Sequence, residues 1–76
     1  MIRELQTVVL TRDFPEHSLL KGDVGAVVHC YQDSAHYEVE FVTAEGHTVA
    51  LLTLPASDIR PMEKSEILHA RSVEAA

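Results

Sequence analysis

Short apolar runs separated by turn-forming residues fill the chain from residue 5 to residue 62, and none of these runs keeps a helical period. The clearest run is 37–41, in which Tyr37, Val39 and Phe41 alternate with charged residues. Because successive side chains of a strand point to opposite faces, this period of two indicates a strand with one apolar and one polar face. The chain is therefore predicted to fold as a small all-β domain.

Four other segments are predicted to be strands because they are short and rich in β-branched or apolar residues. They are residues 7–11, 24–31, 48–54 and 59–60. Pro15 follows the first of them and lacks the N–H that a strand ladder needs, so a long loop is expected there. A 3₁₀ turn at 55–58, which begins with a proline, is expected before the last strand. Gly25 lies inside the second strand and predicts a bulge or a close backbone approach.

The order of these elements is the plan of a small five-stranded SH3-like barrel. A long loop follows the first strand, short polar turns join the next three strands, and the 3₁₀ turn leads into the fifth. This domain is expected to span residues 1–62. Residues 63–76 contain helix formers but few large apolar side chains, so this C-terminal tail is predicted to be a short marginal helix or a frayed, disordered end.

The charge of the chain bears on what it can bind. Its 12 acidic and 6 basic residues, among 76, give a formal net charge of −6 at pH 7. Such a surface disfavours the phosphates of a nucleic acid and favours a neutral or basic protein partner. The sequence has no apolar run near the roughly 20 residues of a membrane span and no signal-peptide pattern, so a cytoplasmic location without membrane contact is expected.

Four segments resemble a known bacterial family. They are Leu10-Thr11-Arg12-Asp13-Phe14-Pro15, Gly22-Asp23-Val24-Gly25-Ala26-Val27-Val28, Tyr37-Glu38-Val39-Glu40-Phe41 and Leu52-Thr53-Leu54-Pro55. On these residues the chain, over about residues 5–62, is similar to domain-of-unknown-function family 4926. The resemblance implies an SH3-like barrel with no established activity, and a companion of a neighbouring gene's product in the manner of an antitoxin or immunity protein. Residues 21–28 are also similar to the KOW-type turn of ribosome- and transcription-associated barrels.

Residue types that often carry catalysis or bind metals lack the spacing that such sites need. The histidines fall in separate turns, one strand and the tail: His17, His29, His36, His47 and His69. None has the i, i+4 spacing of a helical zinc motif, so neither a metal nor another cofactor is expected. Cys30 has the same strand parity as Ala26 and Val28, and it is expected to be a buried, inert thiol. The chain is therefore expected not to be an enzyme.

Glu38 and Glu40 stand on one face of the third strand, with carboxylates about 6.5 to 7 Å apart from the strand rise. That spacing suits a pair of catalytic acids, but a domain of this size offers no deep cleft for a substrate. We expect instead a non-catalytic protein-binding module whose acidic face docks a neutral or basic protein. The candidate binding residues are Phe14, Pro15, Asp33, Glu38, Glu40, Glu45, Leu52 and Pro55.

Three alternatives stay open, and the first is an enzyme with a metal at the histidines. The KOW-like turn favours a small RNA- or ribosome-associated barrel, although the basic residues are scattered among acidic ones. The fourth strand has apolar residues at both parities, and the edges of a small sheet are ready pairing surfaces. The same apolar surface could therefore form the seam of a homodimer.

Overall fold

The computed structural model describes residues 2–73; Met1 of the predicted domain and residues 74–76 of the predicted tail lie outside the described residues. Five antiparallel strands form within this range: β1 (Thr7–Leu10), β2 (Val24–Cys30), β3 (His36–Val42), β4 (Thr48–Pro55) and β5 (Ile59–Pro61). Their order in the sheet is β4-β3-β2-β1-β5. One 3₁₀ turn, Pro15–His17, lies in the long loop, and another, Ala56–Asp58, precedes β5. The predicted all-β architecture, with its 3₁₀ turn before the last strand, is confirmed.

The core lies on the inner face of the curved sheet, where alternate residues of the strands meet. The buried residues of β3 are Tyr37, Val39 and Phe41, as the period of two predicts. The long loop adds Phe14 and Leu19, which pair with each other in an isolated antiparallel bridge. The buried cluster consists of Val8, Leu10, Phe14, Leu19, Val27, Tyr37, Val39, Phe41, Leu54 and Ile59. Because full burial of such a side chain contributes about 1.5 to 3 kcal/mol, the loop is part of the fold rather than a free arm.

Gly25 of β2 occupies a position where no side chain would fit. It lies opposite Val8 of β1, on the inner side of the sheet. A Cβ atom at this position would come within 2.7 Å of Phe41 Cε2 and 2.8 Å of Val39 Cγ1. The pairing around it is regular, so the close backbone approach is the reason for glycine, and the bulge of β2 lies further along the strand.

The bulge in β2 changes which of its side chains face the core. The register shifts just after Val27, so Val28 is inserted without a partner on β3. Val27 is buried before the bulge, whereas Cys30 lies opposite Tyr37 after it and packs against the core. The expectation that Cys30 shares a face with Ala26 and Val28 is therefore wrong, since those two side chains are exposed. Cys30 is half-buried because the extra residue turns it inward.

A second bulge decides the two faces of β4. It inserts Val49 near the start of the strand, where the pairing with β3 shifts by one residue. Beyond the bulge, Leu52 lies opposite Val39 and packs against the core. Leu51 lies opposite Glu40 and is 54% exposed. The apolar residues of β4 thus divide between the core and the solvent-facing side of the sheet.

The tail runs over the strand domain without regular secondary structure across residues 63–73. Arg60 of β5 donates two hydrogen bonds to the Glu66 carboxylate, at 2.8 and 2.6 Å. Arg71 forms a second ion pair with Asp23, just before β2. The helix alternative is wrong for these residues, because a helix this short is marginal by itself and its charged side chains find partners on the strand domain instead.

Candidate protein-binding surface

The solvent-facing side of β3 carries the two central residues of the predicted acidic face. Glu38 and Glu40 are half-buried and point away from the core, since the residues that alternate with them, Tyr37, Val39 and Phe41, are buried. Glu38 Oε1 accepts hydrogen bonds from the hydroxyls of Tyr31 at 3.2 Å and Thr53 at 2.5 Å. Glu40 Oε2 accepts one from the Thr48 hydroxyl at 2.8 Å. Neighbouring hydroxyls therefore orient both carboxylates, and each keeps a second oxygen for a partner.

Exposed apolar side chains surround these carboxylates on the same side of the sheet. Leu51 and Val42, on the β4 side, are 54% and 52% exposed. Val28 and Tyr31, on the β2 side, are each 39% exposed. Covering such groups is favourable by about 25 cal/mol per Å² of apolar surface, so a grouped set of them marks a surface for association. We name this surface the outer face; it consists of Val28, Tyr31, Glu38, Glu40, Val42 and Leu51.

The other two predicted acidic residues lie at opposite ends of β3. Asp33 is in the turn before this seven-residue strand and Glu45 in the turn after it, about 20 Å apart by the strand rise. Asp33 is held by its own turn, because its Oδ1 accepts the N–H groups of Ala35 at 2.9 Å and His36 at 3.1 Å. The Ala35 N–H and the His36 side chain lower the pKa of Asp33. The two turns therefore hold Asp33 and Glu45 apart, beyond opposite ends of the strand that carries Glu38 and Glu40.

The predicted binding residues of the first loop and of the end of β4 lie in different environments. Phe14 is 5% exposed, and the Arg12 guanidinium lies 3.9 Å from the centroid of its ring. Pro15 is exposed at the start of the first 3₁₀ turn, and Pro55 is half-buried at the end of β4. Phe14 belongs to the buried core cluster, and the partly buried Leu52 packs against that cluster, so neither side chain lies open on the outer face.

The residues that the two bulges expose, and the contact that the tail makes, were not predicted from the sequence. Leu51 replaces Leu52 as the exposed leucine of β4, and Val28 becomes exposed as the inserted residue of β2. In β4, apolar residues occupy both odd and even positions, which signals that one of its apolar residues is exposed. Only the pairing with β3 shows which leucine faces outward. Asp23 binds Arg71 from 48 residues away, and no local pattern signals that contact.

Side chains that often bind metals are dispersed in this fold. Within residues 2–73, no three residues among histidine, cysteine, aspartate and glutamate lie close enough together to hold a metal ion. His36 pairs with Asp33, whereas His29 stacks edge-on against Tyr31 and lies 4.0 Å from Glu4. The described residues also contain no helix long and apolar enough to cross a membrane.

A family model covers the whole strand domain. The model described as Domain of unknown function (DUF4926) matches residues 4–61, more than half of the 76-residue chain. The chain belongs to DUF4926. Because the DUF4926 match ends at the last residue of β5, the tail lies beyond it. No curated protein and no solved structure matches the chain.

Proposed function

We propose that this DUF4926 chain is a non-catalytic protein-binding module that docks a neutral or basic protein on its outer face. The observation that carries the proposal is the placement of two hydroxyl-oriented carboxylates, Glu38 and Glu40, among four exposed apolar side chains. Apolar contact supplies affinity, while the carboxylates select a lysine or arginine on the partner. Because both carboxylates are already oriented, little side-chain entropy is lost when the partner binds.

The same geometry argues against catalysis by the two glutamates. A catalytic acid and base need a cleft that holds a substrate and excludes water. Glu38 and Glu40 instead lie on the solvent-facing side of the sheet, where Glu40 borders an open pocket of about 220 Å³, and both are hydrogen-bonded to hydroxyls of Tyr31, Thr48 and Thr53. A docking surface needs only this open shape.

The partner we propose is a protein encoded beside this chain, such as a toxin or another enzyme that the module restrains. An antitoxin or immunity protein acts by covering a surface of its target, for which an apolar area with fixed charges is suited. The net charge of −6 would also speed the encounter with a basic target at low salt.

The experiment is a capture of partners by the tagged full-length chain in three forms. The wild type is compared with a double variant of the outer face, Glu38→Gln with Glu40→Gln, and with a matched double variant, Glu16→Gln with Glu63→Gln. Both doubles remove two negative charges, but Glu16 and Glu63 are exposed outside the outer face. A partner that is retained by the matched variant and lost from the outer-face variant supports the proposal. Equal retention by both doubles contradicts it.

The RNA-binding alternative receives less support from the arrangement of the basic residues. Among the described residues, three of the four arginines form ion pairs with carboxylates: Arg12 with Asp58, Arg60 with Glu66 and Arg71 with Asp23. A phosphate-binding surface needs unneutralised cations grouped on one side. We therefore expect the protein to pass through a heparin column at low salt; retention that weakens steeply with salt would favour the alternative.

A further inference from the structure

A guanidinium-binding site lies just before β2, where Asp23 and Ser18 bind Arg71 of the tail. Arg71 Nε donates to Asp23 Oδ1 at 2.9 Å, and Arg71 Nη2 donates to Asp23 Oδ2 and, at 2.9 Å, to the Ser18 carbonyl oxygen. Two parallel bonds to one carboxylate match the planar fork of an arginine, which a lysine does not reproduce. The site therefore recognises the shape of the group as well as its charge.

The strand domain orients this carboxylate through its own contacts. Asp23 Oδ2 accepts the N–H of Leu20 at 2.8 Å, and the Asp23 carbonyl oxygen accepts the N–H of Leu10 of β1 at 2.9 Å. The Asp23 side chain is only 18% exposed. The hydrogen bond from Arg71 lowers the pKa of Asp23, although partial burial opposes this effect. An oriented, partly shielded carboxylate needs little further ordering to receive a cation.

A groove of about 320 Å³ lies beside this site, between the strand domain and the tail. Its walls include the apolar side chains of Leu19, Phe41, Val42 and Val49. The tail contributes residues 69–71 and Val73 to the other side. The described part of the tail, residues 63–73, therefore borders the groove without filling it, and space remains next to apolar side chains.

The two largest apolar side chains of the tail point to solvent. Ile67 is 87% exposed and Leu68 is 70% exposed, although an apolar groove lies close by. Arg71 supplies the hydrogen bonds that tie this part of the tail to Asp23 and Ser18. Because residues 63–73 have no regular secondary structure, side-chain hydrogen bonds rather than a strand ladder hold this part of the tail. The tail is therefore positioned to be displaced by a segment that fits the groove better.

We propose that this groove is a docking site for an extended, arginine-bearing peptide of another protein, and that Arg71 of the chain's own tail occupies its guanidinium site until such a peptide displaces the tail. The negative charge of the chain favours a basic peptide, the Asp23 carboxylate fits its guanidinium, and the apolar walls accept a side chain two residues further on, as Val73 follows Arg71. The groove meets the outer face at Val42 but uses neither of its carboxylates, so it goes beyond the function proposed above and is tested separately.

The test measures peptide binding to full-length protein by amide chemical shifts in NMR. The probe is a capped peptide with the tail sequence of residues 66–73, Glu-Ile-Leu-His-Ala-Arg-Ser-Val. We expect it to bind the Arg71→Ala variant and to shift the amides of Asp23 and Val42. The wild type should bind it at least about 5-fold more weakly, because the resident tail leaves only a fraction of the sites open. A second probe, an alanine peptide that keeps only the arginine and the valine, should bind within a few fold of the first.

Three controls separate recognition from simple loss of a structural contact. A probe with lysine in place of arginine should bind about 10-fold more weakly, since it cannot form both bonds. Adding Asp23→Asn to the Arg71→Ala variant should abolish binding, whereas adding Glu16→Gln should not; thermal unfolding of each variant checks that it is folded. The proposal is overturned if the Arg71→Ala protein binds neither probe, or if binding survives Asp23→Asn. The proposal is also overturned if the wild type is a dimer and the Arg71→Ala variant is a monomer. In that case the tail of one copy would bind the Asp23 site of the other copy.

Discussion

Glu40 of β3 lies directly opposite Leu51 of β4, so a carboxylate and an exposed leucine are neighbours on the solvent-facing side of the sheet. Directly opposed residues of antiparallel strands have Cβ atoms about 5 Å apart. A partner that covers the leucine therefore also comes within reach of the carboxylate. This juxtaposition gives the outer face both an apolar and an ionic component at one point.

Gly25→Ala should destabilise the protein by about 1 to 3 kcal/mol, the range for overpacking a core. The reason is that the new methyl group would lie 2.7 Å from Phe41 Cε2. Urea denaturation would measure the free energy of unfolding. Phe41→Leu removes the aromatic ring and with it Cε2, the atom nearest to the new methyl group. In this background Gly25→Ala should therefore lower the free energy of unfolding by less than it does in the wild type. An equal cost in both backgrounds would show that the contact with Phe41 is not the cause.

Acid should weaken the protein through the ion pair of Glu66. The hydrogen bonds from Arg60 and from the Glu63 N–H lower the pKa of Glu66 from 4.5 to about 2 in the folded state. A carboxyl whose pKa is lower when folded contributes stability that is complete above pH 4.5 and is lost as the pH falls towards 2. The free energy of unfolding of the wild type should fall over this pH range, and that of the Glu66→Gln variant should fall less.

The matched variant for this pH series is Glu63→Gln, whose side chain is exposed. It should retain the wild-type slope between pH 4.5 and pH 2, because the Glu66 ion pair with Arg60 is unchanged. The pKa of Asp23 is also lowered in the folded state, so Asp23 should contribute part of the pH dependence of the free energy of unfolding in every variant. Identical curves for the wild type and Glu66→Gln would mean that this ion pair does not form in solution.

Arg12→Ala should lower the free energy of unfolding by about 0.5 to 1 kcal/mol, the size of an exposed cation–π contact. The Arg12 guanidinium lies 3.9 Å from the centroid of the Phe14 ring and 3.2 Å from Asp58 of the second 3₁₀ turn. It therefore joins the long loop to the segment before β5. Arg3→Ala, at an exposed arginine near the chain start, is the control and should leave thermal unfolding unchanged.

Self-association, if it occurs, should use β4 rather than β5. Among the described strands these two form the edges of the sheet. The β5 edge has three residues and includes Arg60 and Pro61, which discourage strand pairing, whereas β4 has eight residues and no charge. Leu51→Lys should reduce any concentration-dependent increase in mass measured by analytical ultracentrifugation. Leu68→Lys, which adds the same charge to the exposed tail, should have no such effect; an equal reduction by both would point to net charge instead of the edge.

Much of the fold could be predicted because local physical rules operate within each segment. The alternation of residues 37–41 determines that Glu38 and Glu40 face solvent, whatever β3 pairs with. Pro55 ends β4 and leads into the 3₁₀ turn because proline limits the backbone there. The strands, their order along the chain and the two central acidic residues of the candidate surface followed from the sequence by itself.

The tertiary structure alone decided which apolar residues face outward and where the tail lies. The inserted residues Val28 and Val49 change the parity of β2 and β4, and a bulge is defined only by the pairing between two strands. The contact between Asp23 and Arg71 joins residues 48 positions apart, so it exists only after folding brings the tail beside the start of β2. Alternation describes one strand at a time, whereas register and long-range ion pairs depend on what lies beside it.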